Sequence, residues 1–281
     1  MFPFFRVTAA SSLTAARALT DAELRRVAPS VFAEAAHDSR SARYAYIATA
    51  EILAGLRKEG FEVFSARQSR CRSEDRSEHT KHLLRLRHIS QVENVAKVGD
   101  SVGEIVLLNS HDGSSSYQMM GGMFRFICSN GMVVPEGVCQ TVKVHHAGKV
   151  QDKVVAGAYE VLDGLTRVIE SRDEMRGIVL SSGEQQAFAQ AALGLRFDLP
   201  EGQAAPVSAE QLLRPRRQED GAADLWSTFN RVQENSVKGG LQGRLSNGVR
   251  RSTRAVTGID QDVKLNRALW TLAEEMRRLK A

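Results

Sequence analysis

The sequence contains few cysteines, few aromatic residues and no long apolar run. Its three cysteines, Cys71, Cys128 and Cys139, form no closely spaced pair among the 281 residues. This spacing indicates reduced thiols in a cytosol-like compartment, so we predict a cytoplasmic protein. No stretch approaches the roughly 18 consecutive apolar residues of a membrane span, which predicts that the protein does not enter a membrane. Aromatic residues make up only 6%, which weakens any interface that depends on stacking bases against exposed rings.

Motifs for metals, cofactors and hydrolysis are also missing. No Cys-x-x-Cys occurs, and His79 and His82 lack the Cys/His spacing of a zinc site. The serines that follow His111 lack the Gly-x-Ser-x-Gly pattern of a hydrolase nucleophile. The glycine-rich segment after Lys238 lacks the spacing of a Walker-type phosphate loop. We therefore predict no metal and no cofactor, and we disfavour a nucleotide pocket.

What is present is the composition of an ordinary globular protein. Hydrophobic residues make up 42% and charged residues 25%, which is sufficient for a packed core and a solvated surface. The formal net charge is +5. Such a modest average does not indicate a partner, so the distribution of the charges has to be considered.

Hydrophobic periodicity predicts strands in the first half of the chain and helices in the second. Thr20, followed by Asp21 and Glu23, is typical of the start of a first helix, and apolar spacing predicts a second helix from Ala45 to Glu59. The further segments of the first half are strands at 61–72, 80–89 and 104–108, a helix at 117–129, and short strands near 132–134 and 141–145. Those of the second half are helices from residue 150, at 184–195, and near 224–235 and 260–280.

Strands that come in runs, rather than alternating with long helices, indicate an antiparallel arrangement. We therefore predict the α+β class, with an N-terminal helix, antiparallel strands and a C-terminal helical half. The α+β core domain would span residues 20–149 and the helical region residues 150–281.

Arginine and lysine cluster on two neighbouring predicted strands. These cations are Arg67, Arg70 and Arg72 on the first strand and Lys81, Arg85 and Arg87 on the second. If the strands pair as a hairpin, like charges repel across the sheet, and a phosphate backbone would turn that repulsion into attraction. The alternative is a solvated face neutralised by nearby acids, namely Glu62, Glu74, Asp75 and Glu78.

A second basic segment, 238–254, combines glycines with cations and contains no acid. Its cations are Lys238, Arg244, Arg250, Arg251 and Arg254. Glycines let backbone amides approach an anion, and guanidinium groups form bidentate hydrogen bonds with phosphate oxygens. The segment is therefore interpreted as an arm that becomes ordered on nucleic acid, with an idle surface loop as the alternative.

Several stretches resemble one family. They include EIVLLNSHDG at 104–113, FRFICSNG at 124–131 and VTGIDQDVKLNRALW at 256–270. Together they resemble the domain of unknown function 932 family, proteins associated with bacterial plasmids and phages. Ala48 departs from the proline that family members often carry there. The resemblance implies a role in the maintenance or transfer of DNA on mobile elements, or in evasion of host defence.

Three hypotheses about function follow. The first is binding to DNA, including binding or annealing of single strands, since the order of elements is compatible with annealing proteins of the Rad-fifty-two type. The second is an enzyme that uses the loop of His111 and Asp112 near Asn109 and Asn130. The third is an interaction protein of the anti-restriction type, whose helical half binds a partner. Homo-oligomer formation stays open.

Overall fold

A computed structural model of the protein describes residues 12–41, 44, 46–71, 74–92, 101–125, 130–135, 139–144, 150–198, 204–244 and 248–280. The fold belongs to the α+β class, as predicted from the sequence. The chain forms two compact units. Unit 1 comprises Met1–Gly131 and Glu136–Thr166, and unit 2 comprises Met132–Pro135 and Arg167–Ala281.

Unit 1 is built on an antiparallel sheet. The strands are β1 (Ser12–Thr14), β2 (Phe61–Gln68), β3 (His82–His88), β4 (Ser101–Asn109), β5 (Tyr117–Arg125), β6 (Asn130–Val133) and β7 (Val142–Val144). Strands β1 to β6 lie in chain order, and β7 pairs with β5. The predicted strands at 61–72 and 80–89 do form neighbours, because β2 pairs with β3 from Phe61 opposite His88 to Gln68 opposite His82.

The helices of unit 1 flank this sheet in the chain. They are α1 (Asp21–Val27), a 3-10 turn (Pro29–Phe32), α2 (Thr49–Lys58), α3 (Glu74–Ser77), α4 (Ile89–Val92) and the first part of α5 (Val150–Gly177). Thr20 caps α1 as predicted, in a capping box with Glu23. Helix α2 begins at Thr49, later than predicted, and Ala48 at its N-cap provides no side-chain hydrogen bond.

Helix α5 packs closely on one face of the sheet. A Cβ atom added at Gly103 in β4 would lie 2.9 Å from the Leu165 side chain of α5, and one added at Gly121 in β5 would lie 2.6 Å from Cys139 Sγ. These glycines therefore allow the helix and the segment around Cys139 to approach the strands.

The predicted helix at 117–129 is wrong where the structure describes it. Residues 117–125 form strand β5, with Met120 opposite Val106 and Gly122 opposite Glu104. Residues 126–129 lie outside the described residues. Because both faces of β5 are buried, apolar residues occur at every position and the alternation that identifies a half-exposed strand is missing.

Unit 2 is mainly helical. Its elements are the rest of α5, α6 (Ser182–Phe197), α7 (Ala209–Leu213), a 3-10 turn (Gln218–Asp220), α8 (Leu225–Lys238), the strands β8 (Gln242–Arg244) and β9 (Arg250–Ser252), and α9 (Ile259–Lys280). Helix α8 is buried along most of its length. The rings of Trp226 and Phe229 on α8 pack against Trp270 on α9, with centroids 6.0 and 5.6 Å away. Within the described residues, no helix is long and apolar enough to span a membrane.

Candidate nucleic-acid interface

Two of the predicted phosphate-binding cations, Arg85 and Arg87, lie inside unit 1. Their residues are only 6% and 1% exposed. Arg85 Nη1 donates a hydrogen bond to Glu104 Oε2 at 3.0 Å, and Arg87 Nε donates to Glu104 Oε1 at 2.8 Å. The Glu104 carboxylate is itself fully buried. A nucleic-acid backbone therefore cannot reach these two guanidinium groups in this conformation, which corrects the placement of both residues in the predicted interface.

Aromatic rings enclose the guanidinium of Arg87. Its Cζ lies 4.5 Å from the ring centroid of Phe64 and 4.2 Å from that of Phe124. Burial lowers the pKa of Arg87 because it disfavours the charged form, and the Glu104 carboxylate opposes this effect. Arg87 and Glu104 are thus partners in a buried ion pair, and Arg87 also makes cation–π contacts to both rings.

The other predicted cations of unit 1 lie nearer to its surface. Arg70 is exposed, and Arg67 and Lys81 are half-buried. Arg72 lies outside the described residues. Because Arg85 and Arg87 point into the protein, the described strands do not present the six-cation track that the sequence predicts.

The loop of His111 and Asp112, the predicted site of an enzyme, belongs to a buried hydrogen-bond network. Thr49 Oγ1 lies 3.3 Å from His111 Nε2 and 3.1 Å from His82 Nε2, and it accepts a hydrogen bond from Asn109 Nδ2 at 3.0 Å. His111 and Asn109 therefore share Thr49 as a partner, whereas the side chain of Asn130, the third residue of the enzyme hypothesis, lies outside what the structure describes. His111 and Asn109 are both fully buried, so a substrate cannot contact His111 in this conformation.

The same network continues through the other nitrogen of His82. His82 Nδ1 lies 2.9 Å from Ser30 Oγ, which also contacts Gln68 Oε1 at 2.8 Å. Burial, together with a smaller effect of the neighbouring His111, lowers the pKa of His82 to about 3. His82 is thus held neutral, which suits a structural link between helices and sheet rather than a base that titrates near neutral pH. Among the described residues, no group of three or more His, Cys, Asp or Glu side chains could hold a metal ion.

The second basic segment forms a short hairpin in unit 2. Gly239 and Gly240, at φ +63° and +79°, follow helix α8 and turn the chain back on itself. Strand β8 then pairs antiparallel with β9, with Arg244 opposite Arg250 and Gly243 opposite Arg251. We call residues 242–244 and 248–254 the arginine hairpin.

The remainder of unit 2 holds this hairpin at its base and along one edge. Arg196 donates hydrogen bonds to the carbonyl oxygens of Ser236 at 2.9 Å and Arg254 at 2.8 Å. The backbone N–H of Arg244 donates to Pro206 O at 3.0 Å, and a Cβ atom at Gly243 would lie 2.3 Å from that same oxygen. Glycine at position 243 therefore permits the close approach of β8 to Pro206 that this hydrogen bond requires.

Four arginines of the hairpin are exposed: Arg244, Arg250, Arg251 and Arg254. No carboxylate of the described chain forms an ion pair with any of them. Arg244 and Arg250 occupy directly opposed positions, where like charges destabilise a strand pair. The guanidinium groups are consequently available to an anion that would relieve this repulsion.

Lys238 differs from these arginines. Its Nζ lies 2.7 Å from Glu234 Oε1, and the same oxygen accepts from Arg217 Nη2 at 2.9 Å. Since the Glu234 carboxylate neutralises Lys238 locally, Lys238 contributes less to an anion site than the sequence predicts. Sequence reasoning also missed Glu104 and Glu234, although a lone acid beside an apolar run such as Ile105–Leu108 is a signal for a buried ion pair.

Comparison with known proteins identifies the family of the chain. Residues 36–270 match the family described as Domain of unknown function (DUF932). The UPF0380 protein YfjQ of Escherichia coli (strain K12) is 52% identical over 271 residues, which is 96% of each chain. The UPF0380 protein YafZ of the same strain is 51% identical over the same length and share. The chain belongs to the DUF932 family, as its sequence motifs indicated. No solved structure matches it.

Proposed function

We propose that this protein binds nucleic acid through the arginine hairpin, with single-stranded DNA of plasmids or phages as its substrate in the bacterial cytoplasm. The observation that carries the proposal is the group of four exposed arginines, none of which has a carboxylate partner in the described chain. Guanidinium groups bind phosphate oxygens in a bidentate manner and release counterions from the nucleic acid. The plasmid or phage context rests on the family resemblance alone.

The hairpin suits a backbone contact better than a sequence-specific one. Each of its strands has only three residues, too little to enter a groove as a long recognition element. The segment that we interpreted from the sequence as an arm is thus a small, anchored hairpin whose arginine side chains extend into solvent. Such an element positions a nucleic-acid strand through contacts to its phosphates, whereas any sequence specificity depends on other groups.

Fluorescence anisotropy with a labelled oligonucleotide at two salt concentrations tests the proposal. Four phosphate contacts to a single strand predict a slope of log K against log salt near −3, equivalent to about 50-fold weaker binding between 50 and 200 mM salt. The variant R244Q/R250Q/R251Q should keep a slope of about −1.

A matched control removes the same number of charges from elsewhere in unit 2. The variant R176Q/K264Q/R278Q replaces three cations outside the hairpin and lowers the formal net charge of +5 by the same amount. It should retain most of the wild-type slope. If both variants weaken binding equally, the hairpin has no special role, and if the wild type shows no salt-sensitive binding at all, the proposal is wrong.

A further inference from the structure

A groove lies beside the arginine hairpin in unit 2. It has a volume of about 980 Å³ and is bordered by α6 from Gln186 onwards, the segment from Ala204 into α7, and strands β8 and β9. Arg244 and Arg250 line the hairpin side of the groove. The volume lies at the upper end of the roughly 300–1,000 Å³ that small-ligand sites occupy.

The lining of the groove combines cations with acids and neutral amides. Asp198, at the end of α6, and Glu210, on α7, contribute carboxylates, and Gln190 and Gln242 contribute amides. Phosphate would avoid the two carboxylates and lie near the arginines. A ligand that fits the groove therefore carries an anionic part and a second, neutral part that offers hydrogen-bond donors.

Some of these polar groups are already used within the protein and others are not. The Glu210 carboxylate accepts a hydrogen bond from Gln186 Nε2 at 2.7 Å, and hydrogen bonding, chiefly from Ser208, lowers the pKa of Glu210. The side chains of Gln190 and Asp198 are exposed and have no hydrogen-bond partner in the described chain. They are the groups with capacity to recognise a ligand.

We infer that this groove binds an unpaired nucleobase that carries an exocyclic amino group, while Arg244 and Arg250 hold phosphates of the same strand. The inference rests on the proposed function and specifies which bases of the bound strand the protein recognises. Carboxylates accept hydrogen bonds from the amino group of cytosine, and glutamine amides pair with adenine, whereas thymine presents a carbonyl oxygen at the corresponding position. In a duplex the bases are stacked and paired, so only a base of a single strand can enter the groove.

The backbone of Asp198 makes a conservative test possible. Asp198 has φ +46° and ψ +53°, a left-handed conformation that aspartate and asparagine tolerate better than other side chains. Asp198→Asn therefore preserves the end of α6. It replaces a group that only accepts hydrogen bonds with one that also donates them to a carbonyl oxygen.

The experiment compares binding of the full chain to oligo(dC), oligo(dT) and an abasic oligonucleotide of equal length at one salt concentration. The wild type should bind oligo(dC) about tenfold more tightly than oligo(dT), because one hydrogen bond to a charged acceptor separates them. The abasic strand should bind no better than oligo(dT). Asp198→Asn should remove most of the preference, and Gln261→Ala, at an exposed glutamine of the same unit outside this groove, should retain it.

Equal affinity for oligo(dC), oligo(dT) and the abasic strand overturns the inference. If the hairpin variant loses salt-sensitive binding in that case, the proposed function stands without base recognition. If no oligonucleotide binds in a salt-sensitive manner, both the proposed function and the inference are wrong. A preference for oligo(dC) that survives Asp198→Asn also overturns the inference, since other residues would then recognise the base.

Discussion

Removal of the Glu104 carboxylate should destabilise unit 1 strongly. In the folded protein this buried group accepts hydrogen bonds from Arg85 at 3.0 Å and from Arg87 at 2.8 Å. Glu104→Ala would leave two guanidinium groups buried without their counter-ion. Breaking a buried ion pair from one side lowers the free energy of unfolding by about 3–5 kcal/mol, a large share of the roughly 5–15 kcal/mol that a domain possesses.

Glu62 provides a matched control on the neighbouring strand. It lies opposite Arg87 in the β2–β3 pairing, but its side chain is 34% exposed and its partner is Arg57, at 3.3 Å. Glu62→Ala should therefore lower the free energy of unfolding by only about 0–1 kcal/mol. Urea unfolding followed by circular dichroism measures both variants. A loss for Glu104→Ala no greater than that for Glu62→Ala would contradict the burial of the ion pair.

A triple variant separates a structural role of the two arginines from a binding role. R85M/R87M/E104L replaces the whole ionic group with apolar side chains, a change that is often neutral or stabilising because no charge remains buried. We expect a free energy of unfolding within about 2 kcal/mol of the wild type, together with unchanged oligonucleotide binding. If the triple variant is folded but no longer binds oligonucleotide, Arg85 and Arg87 do belong to the interface.

Three further predictions concern pH and glycine. Because His82 has a pKa of about 3 when folded and 6.5 ordinarily, its contribution to stability is complete above pH 6.5 and is lost as the pH falls, by about 2 kcal/mol at pH 5. His82→Gln should flatten this dependence in acid-unfolding curves. Gly131→Ala would place a Cβ 2.2 Å from a buried guanidinium, and should lower the unfolding free energy by about 1–3 kcal/mol in urea. Gly243→Ala should displace strand β8 and weaken oligonucleotide binding, as anisotropy would show, while Gly183→Ala, at a position on α6 with open space around it, should have a smaller effect on binding.

Local signals in the sequence predicted much of the fold. Thr20 followed by the acids Asp21 and Glu23 predicted the start of α1, and apolar spacing predicted α5. The runs of strands predicted the antiparallel α+β class. These features depend on residues close together in the chain, which is why a single sequence reveals them.

Long-range packing explains what the sequence did not predict. Strand β5 was predicted as a helix because Met120, Met123 and Phe124 also fit helical spacing, and burial of both faces removed the alternation. The groove beside the hairpin was not predicted, because it combines parts of α6, α7 and β8 that lie far apart in the chain.

The two clusters of arginine show why charge alone cannot identify an interface. Arg85 and Arg250 both occur in basic stretches of predicted strand or loop, yet one is ion-paired inside the sheet and the other is exposed without a carboxylate partner in the described chain. What distinguishes them is an acid distant in sequence, since Glu104 reaches Arg85 across two paired strands. A cation is available to a phosphate only if folding leaves it without such a partner. The charges of a buried pair have lost their water of hydration and are neutralised by each other. The search for a binding site in this family therefore begins with the arginines that folding leaves unmatched, and in the described chain the hairpin of unit 2 carries four of them.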